Sequence, residues 1–304
     1  MKAPLVPEFV STNEAAQALG VSVSTVKRWV EDGVLPAQKT AGGHRKLLLA
    51  DVVELARQGK LPARDLPGLK LNFSKDRPPA AATLEQHLYP ALIAGDGATV
   101  RSIVHGAYRA GVPIEEFADR VIAPAMQRIG EDWATGRIDV MHEHRASQIC
   151  AAALFELKAV LDTRASRSRP IAVGGTLAGD HSVLPSLLVQ MVLLDSGWDA
   201  VNLGPNTPLE SFRRALEELA PRLMWISLSH LEDETAFVRD YRKLYEQAEK
   251  AGVAVVIGGR ALGEKLRSSI PYTSYGDSLS HLAAFARSLH PRPRRPRRGR
   301  PPKL

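Results

Sequence analysis

One cysteine, Cys150, occurs in 304 residues, so no internal disulfide is available and a reducing compartment is expected. It sits among alanines in SQICAAALF, which reads as a helix with a buried thiol. No apolar run reaches the roughly 18 residues needed to span a bilayer. The N-terminus carries no basic-then-apolar leader. These absences lead us to expect a cytoplasmic protein with no membrane partner. The sequence also lacks paired carboxylates and any nucleophile–base set at usable spacing, so no enzyme is expected. His142 and His144 flank Glu143, but residues two apart do not share a helix face, which argues against a zinc site.

What is present is positive charge in one place. Forty Lys and Arg against 33 Asp and Glu give a formal net charge of +7. Arg292, Arg294, Arg295, Arg297, Arg298, Arg300 and Lys303 supply the same number, so the rest of the chain is balanced (7 minus 7). Residues 291–304, PRPRRPRRGRPPKL, are too low in complexity to bury a core. Arg298-Gly299-Arg300-Pro301 resembles an AT-hook, whose flat backbone lets arginines such as Arg298 and Arg300 follow a narrow minor groove. A plain basic tail attracted to phosphate is the alternative.

The stretch that organises the chain is Ser11–Lys46. Ser11 with Glu14 forms a capping box. Ala15, Ala16 and Leu19 give a short apolar face, and Gly20 is a stop signal. A second helix starts at Ser22, with Val23, Val26, Trp29 and Val30 on one stripe. Ser24, Thr25, Lys27 and Arg28 are left on the outer face. Two short helices about a tight turn are a helix-turn-helix, whose second helix enters the major groove of duplex DNA. Gly42-Gly43 then marks a hairpin, with His44, Arg45 and Lys46 as phosphate donors. Asp51 with Glu54 caps a third helix. The segments VSVSTVKRWVEDGVLP and GGHRK together resemble the winged-helix DNA-binding domain of the MerR family.

Residues 1–60 are therefore read as a winged-helix head with a short lead-in before Ser11, and 61–82, with four prolines, as a linker. Residues 83–165 show four helical patterns. Leu84, Leu88 and Leu92 belong to the first, Val100, Ile103 and Val104 to the second, and Phe117, Val121, Ile122 and Met126 to the third, which runs towards Trp133. The fourth covers about 142–161. Residues 166–290 alternate short apolar runs (IAVGG, AVNLG, LMWISLS, AVVIGG) with helical stretches, which implies a parallel Rossmann-like sheet. The fold class is thus multidomain α and α/β: winged helix-turn-helix, helical bundle, then Rossmann-like domain. Ligands of such sheets sit off the carboxyl ends of the strands, here Gly174–Ser182, Gly204–Thr207, Ser227–Leu231 and Gly258–Arg260.

This order of domains resembles the MerR-type regulators with a cobalamin-binding body, the light-response repressors of the CarH, CarA and LitR kind, over residues 11 to about 288. The resemblance implies a repressor that is a homo-oligomer, dimer or tetramer, on operator DNA. It also implies adenosylcobalamin between bundle and α/β domain as the glue between subunits, with light breaking the cobalt–carbon bond and releasing DNA. In that family an acid-x-His-x-x-Gly loop supplies the lower axial ligand of cobalt, a role imidazole suits, and the acid holds the other ring nitrogen. Counting from the first strand places His181 there, beside Asp180. Counting back from Gly197-Trp198 places Ser182 there instead. Leu184 and Pro185 stand where the loop glycine is expected. Ser229-x-Leu231 and Gly258-Gly259 match the segments that line the pocket for the nucleotide tail. Trp133, Glu143 and His144 match the pattern that covers the upper corrin face, although Ala134 replaces the histidine that light-sensing members often carry after that Trp. Three alternatives stay open: a regulator that has lost cobalamin and answers to a partner protein, one that holds another tetrapyrrole, and a corrinoid-dependent enzyme or methyl-carrier subunit.

Overall fold

The computed structural model describes residues 9–19, 21–39, 45–48, 52, 79–162 and 169–290. The chain divides into two compact units: the N-terminal residues through Thr83 with Arg101–Val112, and Leu84–Val100 with Pro113 onward. Gly20, Gly42, Gly43, His44, the helix expected from Asp51 (apart from Val52), most of the linker and the whole 291–304 tail lie outside the described residues.

In the first unit, β1 (Phe9–Ser11) runs into α1 (Thr12–Leu19). The capping box closes in both directions. The Ser11 amide donates to Glu14 Oε2 at 2.6 Å, and the Glu14 amide donates to Ser11 Oγ at 3.2 Å. Hydrogen bonding to the Glu14 carboxylate, from the Ser11 amide first and its hydroxyl second, holds that carboxyl below its usual range. α2 (Val23–Glu31) begins at Ser22, which accepts from the Thr25 amide. β2 (Ala37–Lys39) and β3 (Arg45–Leu48) pair antiparallel with Lys39 opposite Arg45. β1 adds to the far side of β3, so the order is β1-β3-β2. The lead-in expected before Ser11 is therefore partly a strand, because Phe9 and Val10 complete the hairpin's open edge. Ala15, Ala16, Leu19, Val26, Leu35, Leu47 and Val52 form the head's core. The stripe on α2 is narrower than expected: Val26 is buried, while Val23, Trp29 and Val30 pack at its margin.

The helical region follows as α3 (Ala81–Ala94), α4 (Gly97–Arg109), α5 (Ile114–Phe117), α6 (Ala123–Ala134) and α7 (Val140–Asp162). One π-helical turn, Ala118–Ile122, joins α5 to α6 without a break. Leu84, Leu88 and Leu92 are fully buried, as are Val121, Ala125 and Ile129. Cys150 is buried on α7, and burial pushes its thiol up to about 12. Arg145 on α7 donates to the Ile93 carbonyl at 2.5 Å, which ties α7 to the end of α3.

The α/β domain carries β4 (Ile171–Thr176), α8 (Leu184–Asp195), β5 (Asp199–Asn202), α9 (Leu209–Leu219) and β6 (Leu223–Ser227). It continues through α10 (Glu234–Lys250), β7 (Ala254–Gly258), α11 (Glu264–Ser269), β8 (Ser274–Gly276) and α12 (Leu279–Leu289). All five strands are parallel in the order β5-β4-β6-β7-β8. The chain reverses direction across the sheet between β4 and β6. Such a switch point opens a crevice at the strands' carboxyl ends. One face is aliphatic: Val173, Met224, Ile226, Val255 and Ile257 pack with α9 and α10. The other face meets α8, and α12 packs beside α8. Within this unit the helical region is fastened to the α/β domain twice. Asp119, on the π-turn, accepts from the Leu279 and Ser280 amides at 2.8 and 2.9 Å and so caps α12. Arg287, on the last turn of α12, pairs with the buried Glu115 at 2.5 Å.

Candidate functional site

On the head, the outer face of α2 is open. Ser24, Lys27 and Arg28 are exposed. Thr25 differs from expectation: it is half-buried, and its hydroxyl shares a 2.8 Å hydrogen bond with Ser22 Oγ, so it serves the helix start. Arg45 also differs. Its Nη1 lies 3.0 Å from Glu31 Oε1, at the end of α2, which ties the wing strand to the second helix. Lys46 is half-buried beside it. Neither the β1 pairing nor the Arg45–Glu31 pair had a sequence signal of its own, since each joins segments far apart in the chain.

In the body, the turn between α6 and α7 presents apolar surface. Trp133 is 50% exposed and Met141 52% exposed, with Val140 also open. The backbone that holds Trp133 is set by its neighbour. Asp132 is buried, accepts from Tyr89 Oη and pairs with Arg137 Nε at 2.7 Å. That hydrogen bond pushes the Tyr89 hydroxyl above its usual range. Arg128 lies over the Tyr89 ring, 3.8 Å from its centre. Trp133 is thus an exposed aromatic on a rigid mount, not a core side chain. Glu143 accepts from Ser147 Oγ at 2.9 Å and sits 3.5 Å from His144 Nε2, with His144 open to solvent.

The loop after β4 is closely tied. Thr176 Oγ1 donates to the Ser182 carbonyl at 3.2 Å, and the Gly179 amide donates to Asn206 Oδ1 at 2.9 Å. Asp180, 1% exposed, bridges the switch-point crevice. Its Oδ2 accepts from the Ser229 and His230 amides at 2.5 and 3.0 Å, and its Oδ1 accepts from the Ser182 amide at 2.9 Å. Charge-assisted bonds of this kind are the strong ones. Arg260 Nε reaches the Ser229 carbonyl at 3.0 Å. Gly259, at φ +121°, lies so close to Leu228 that a Cβ would meet its carbonyl oxygen at 2.2 Å. Leu231 and Gly258 are half-buried at the same end of the sheet. On the aliphatic side a cavity of about 530 Å³ opens among Leu177, Leu209, Arg213, Leu231 and Phe237.

This arrangement defines a class. Residues 9–60 match the helix-turn-helix domain family, and residues 84–158 and 170–270 match two B12 binding domain families. The chain thus carries a helix-turn-helix domain followed by two segments that match B12 binding domains. It is 27% identical over 268 residues to the HTH-type transcriptional repressor CarH of Myxococcus xanthus, which covers 82% of this chain and 88% of the relative. It is 23% identical over 181 residues to trimethylamine corrinoid protein 1 of Methanosarcina mazei, covering 59% and 83%. The solved structure of the Methanosarcina barkeri monomethylamine corrinoid protein superposes with a TM-score of 0.56 at 18% identity, over 69% of this chain and all of that one, and shows the same fold.

The residues present do not fit a cobalt ion held from below by a protein imidazole. His181 is exposed. The acid beside it is fully committed to backbone amides and has no oxygen turned to a histidine ring. With Asp180 fixed as the motif's acid by its burial, the ligand position two residues on is Ser182, and the glycine position is Pro185. Of the two ways of counting, the packing of Asp180 supports the one that leaves His181 out. Among the described residues, no group of three His, Cys, Asp or Glu side chains is disposed to hold a metal ion.

Proposed function

We propose that the protein is a sequence-specific DNA-binding transcriptional repressor of the CarH kind, whose assembly on operator DNA is set by a ligand of its body. The observation that carries this is the exposed Ser24–Lys27–Arg28 face of α2. That helix is fixed by its Ser22 cap, whose Oγ also bonds the Ser24 hydroxyl at 2.8 Å, and by the Arg45–Glu31 pair, so Lys27 and Arg28, free to read base edges, stand on a rigid mount. Lys46 is assigned to phosphate positioning, which orients the head without carrying sequence information. The basic tail supplies further cations for DNA, in the minor groove if Arg298 and Arg300 act as a hook.

Cobalamin is the ligand class for which the two B12-binding domains stand, and it would supply a flat macrocycle for an apolar face. Trp133, Val140 and Met141 form such a face, with Glu143 and His144 one turn further along α7. Adenosylcobalamin and a response to light are the particular form of this reading. Repeated half-sites in DNA call for a homo-oligomer of matching symmetry. A ligand that binds one assembly state better than the other shifts the population of DNA-competent protein. A second reading, a regulator that answers to something other than cobalamin, is favoured by Ser182 and Pro185 in the loop after β4.

The test is selection of duplex from random sequence by the full-length protein, read beside its size on a column with and without adenosylcobalamin, in darkness and after illumination. Selection of one inverted or direct repeat supports the regulator. Equal recovery of all duplexes would overturn it.

A further inference from the structure

The face of the sheet opposite the aliphatic one holds a side chain that the regulator reading does not use. Alternation along β6 puts Leu223, Trp225 and Ser227 on the α8 side, and alternation along β7 puts Val256 and Gly258 there too, because Met224, Ile226, Val255 and Ile257 belong to the other side. Trp225 is 1% exposed and registers with Gly174 of β4. A Cβ on Gly174 would lie 2.1 Å from the indole, so that glycine exists as the floor on which the ring rests. The ring's Nε1 donates to Ser186 Oγ, on the first turn of α8, at 2.9 Å. Ser186 in turn bonds Asn202 Oδ1 at 3.0 Å, at the end of β5. Between sheet and α8, Trp225, Ser186 and Asn202 are therefore packed and hydrogen-bonded to one another. Just above it, Asp180 fastens the β4 loop to the β6 loop across the switch point.

We propose that this α/β domain has closed its interior to a corrinoid tail. Trp225 occupies the slot between sheet and α8, the Asp180 bridge seals the crevice above it, and Ser182 stands where an imidazole would have to reach the cobalt. Three changes that serve one outcome occur together: the donor is missing, the acid that would orient it is engaged elsewhere, and the tail's volume is taken by a paired indole. A corrinoid held by this chain keeps its own nucleotide base on the metal and rests only on the surface around Trp133. This inference deepens the ligand half of the regulator reading: loss of all corrinoid retention would overturn that half and leave closure standing, and a gel shift run in parallel shows whether DNA recognition stands.

The experiment mixes full-length protein with hydroxocobalamin, removes free ligand on a desalting column, and records the visible spectrum. After reduction to the cobalt(II) state, the electron paramagnetic resonance spectrum is taken with ¹⁵N-labelled protein. Two results support closure. In one, no corrinoid is retained. In the other, a retained corrinoid has a base-on spectrum, shows no splitting from protein ¹⁵N, and is unaltered by His181→Ala. A base-off spectrum, or ¹⁵N splitting from the protein, would overturn it. The reverse change gives a second readout: Ser182→His with Pro185→Gly and Trp225→Val should convert the chain to base-off retention. If that triple variant does not fold, the ¹⁵N measurement on the unaltered chain still decides.

Discussion

The outer face of α2 and the loop after β4 are both short polar stretches at the start of a helix, yet their side chains end in opposite places. On α2, Ser22 Oγ caps the helix and shares hydrogen bonds with the hydroxyls of both Ser24 and Thr25, which leaves Lys27 and Arg28 in solvent. After β4, the polar side chain in the middle of the loop, Asp180, is drawn inside and used up on three backbone amides, and the residue left outside is His181. A stretch that caps itself keeps its reactive groups for a partner. A stretch whose charged group knits two loops together has none left over. The first is an open surface, and the second is a piece of interior.

The sharpest way to break this comparison is to remove the Asp180 carboxylate. Three amides would be left without their acceptor at a buried position, each costing about 1–3 kcal/mol if unpaired. Asp180→Ala should therefore lower unfolding free energy by about 3–5 kcal/mol, measured by urea denaturation of the full chain, with some of that recovered in Asp180→Asn, which keeps an acceptor oxygen. A ligand-site aspartate with nothing to hold would show little loss, and that result would make the loop an open site after all.

On α2 the expectation runs the other way. Lys27→Ala and Arg28→Ala should leave stability within about 0.5 kcal/mol, as for exposed sites generally. Each should weaken binding to the selected duplex by about 1–3 kcal/mol if it makes a base contact, with less loss on random DNA. Equal losses on both duplexes would demote the residue to phosphate positioning. Ser11→Ala is the intermediate case, because the capping box joins the first helix to the sheet: about 1 kcal/mol of stability should go, with no change in sequence preference.

These differences explain what could be read in the chain beforehand. The helix-turn-helix was legible because its signals are local: Ser11 with Glu14, Ser22 before an apolar stripe, and Gly42-Gly43 between short runs. The alternating strands and helices of residues 170–290 were legible for the same reason, since a buried strand reads as a short apolar run. What stayed hidden depends on pairs far apart in sequence. Phe9–Ser11 looks like a lead-in until β3 is placed beside it. Trp225 looks like one more apolar residue of LMWISLS until Gly174 and Ser186 are seen on either side. The β4 loop could be counted in two ways because spacing alone does not tell which of its residues is buried. The inward-facing Asp180 favours the count that puts Ser182 at the ligand position.

The smallest effect lies where the two regions are most alike, at the Arg45–Glu31 pair, in which a cation on the wing strand is held by an acid of its own head. Glu31 is mostly exposed, and surface pairs contribute about 0–1 kcal/mol, so Glu31→Gln should barely alter the denaturation curve. Its effect on DNA should be larger than its effect on stability. Removing the acid frees Arg45 to meet phosphate and deletes a negative charge near the duplex, so affinity for random DNA should rise. If Arg45 then makes one new phosphate contact, the slope of log affinity against log salt steepens by about 0.9. An unchanged slope with unchanged stability would mean that Arg45 was never restrained by Glu31 in solution and already lies on phosphate in the complex. The wing would then share the outward character of α2, instead of standing between α2 and the sealed loop after β4.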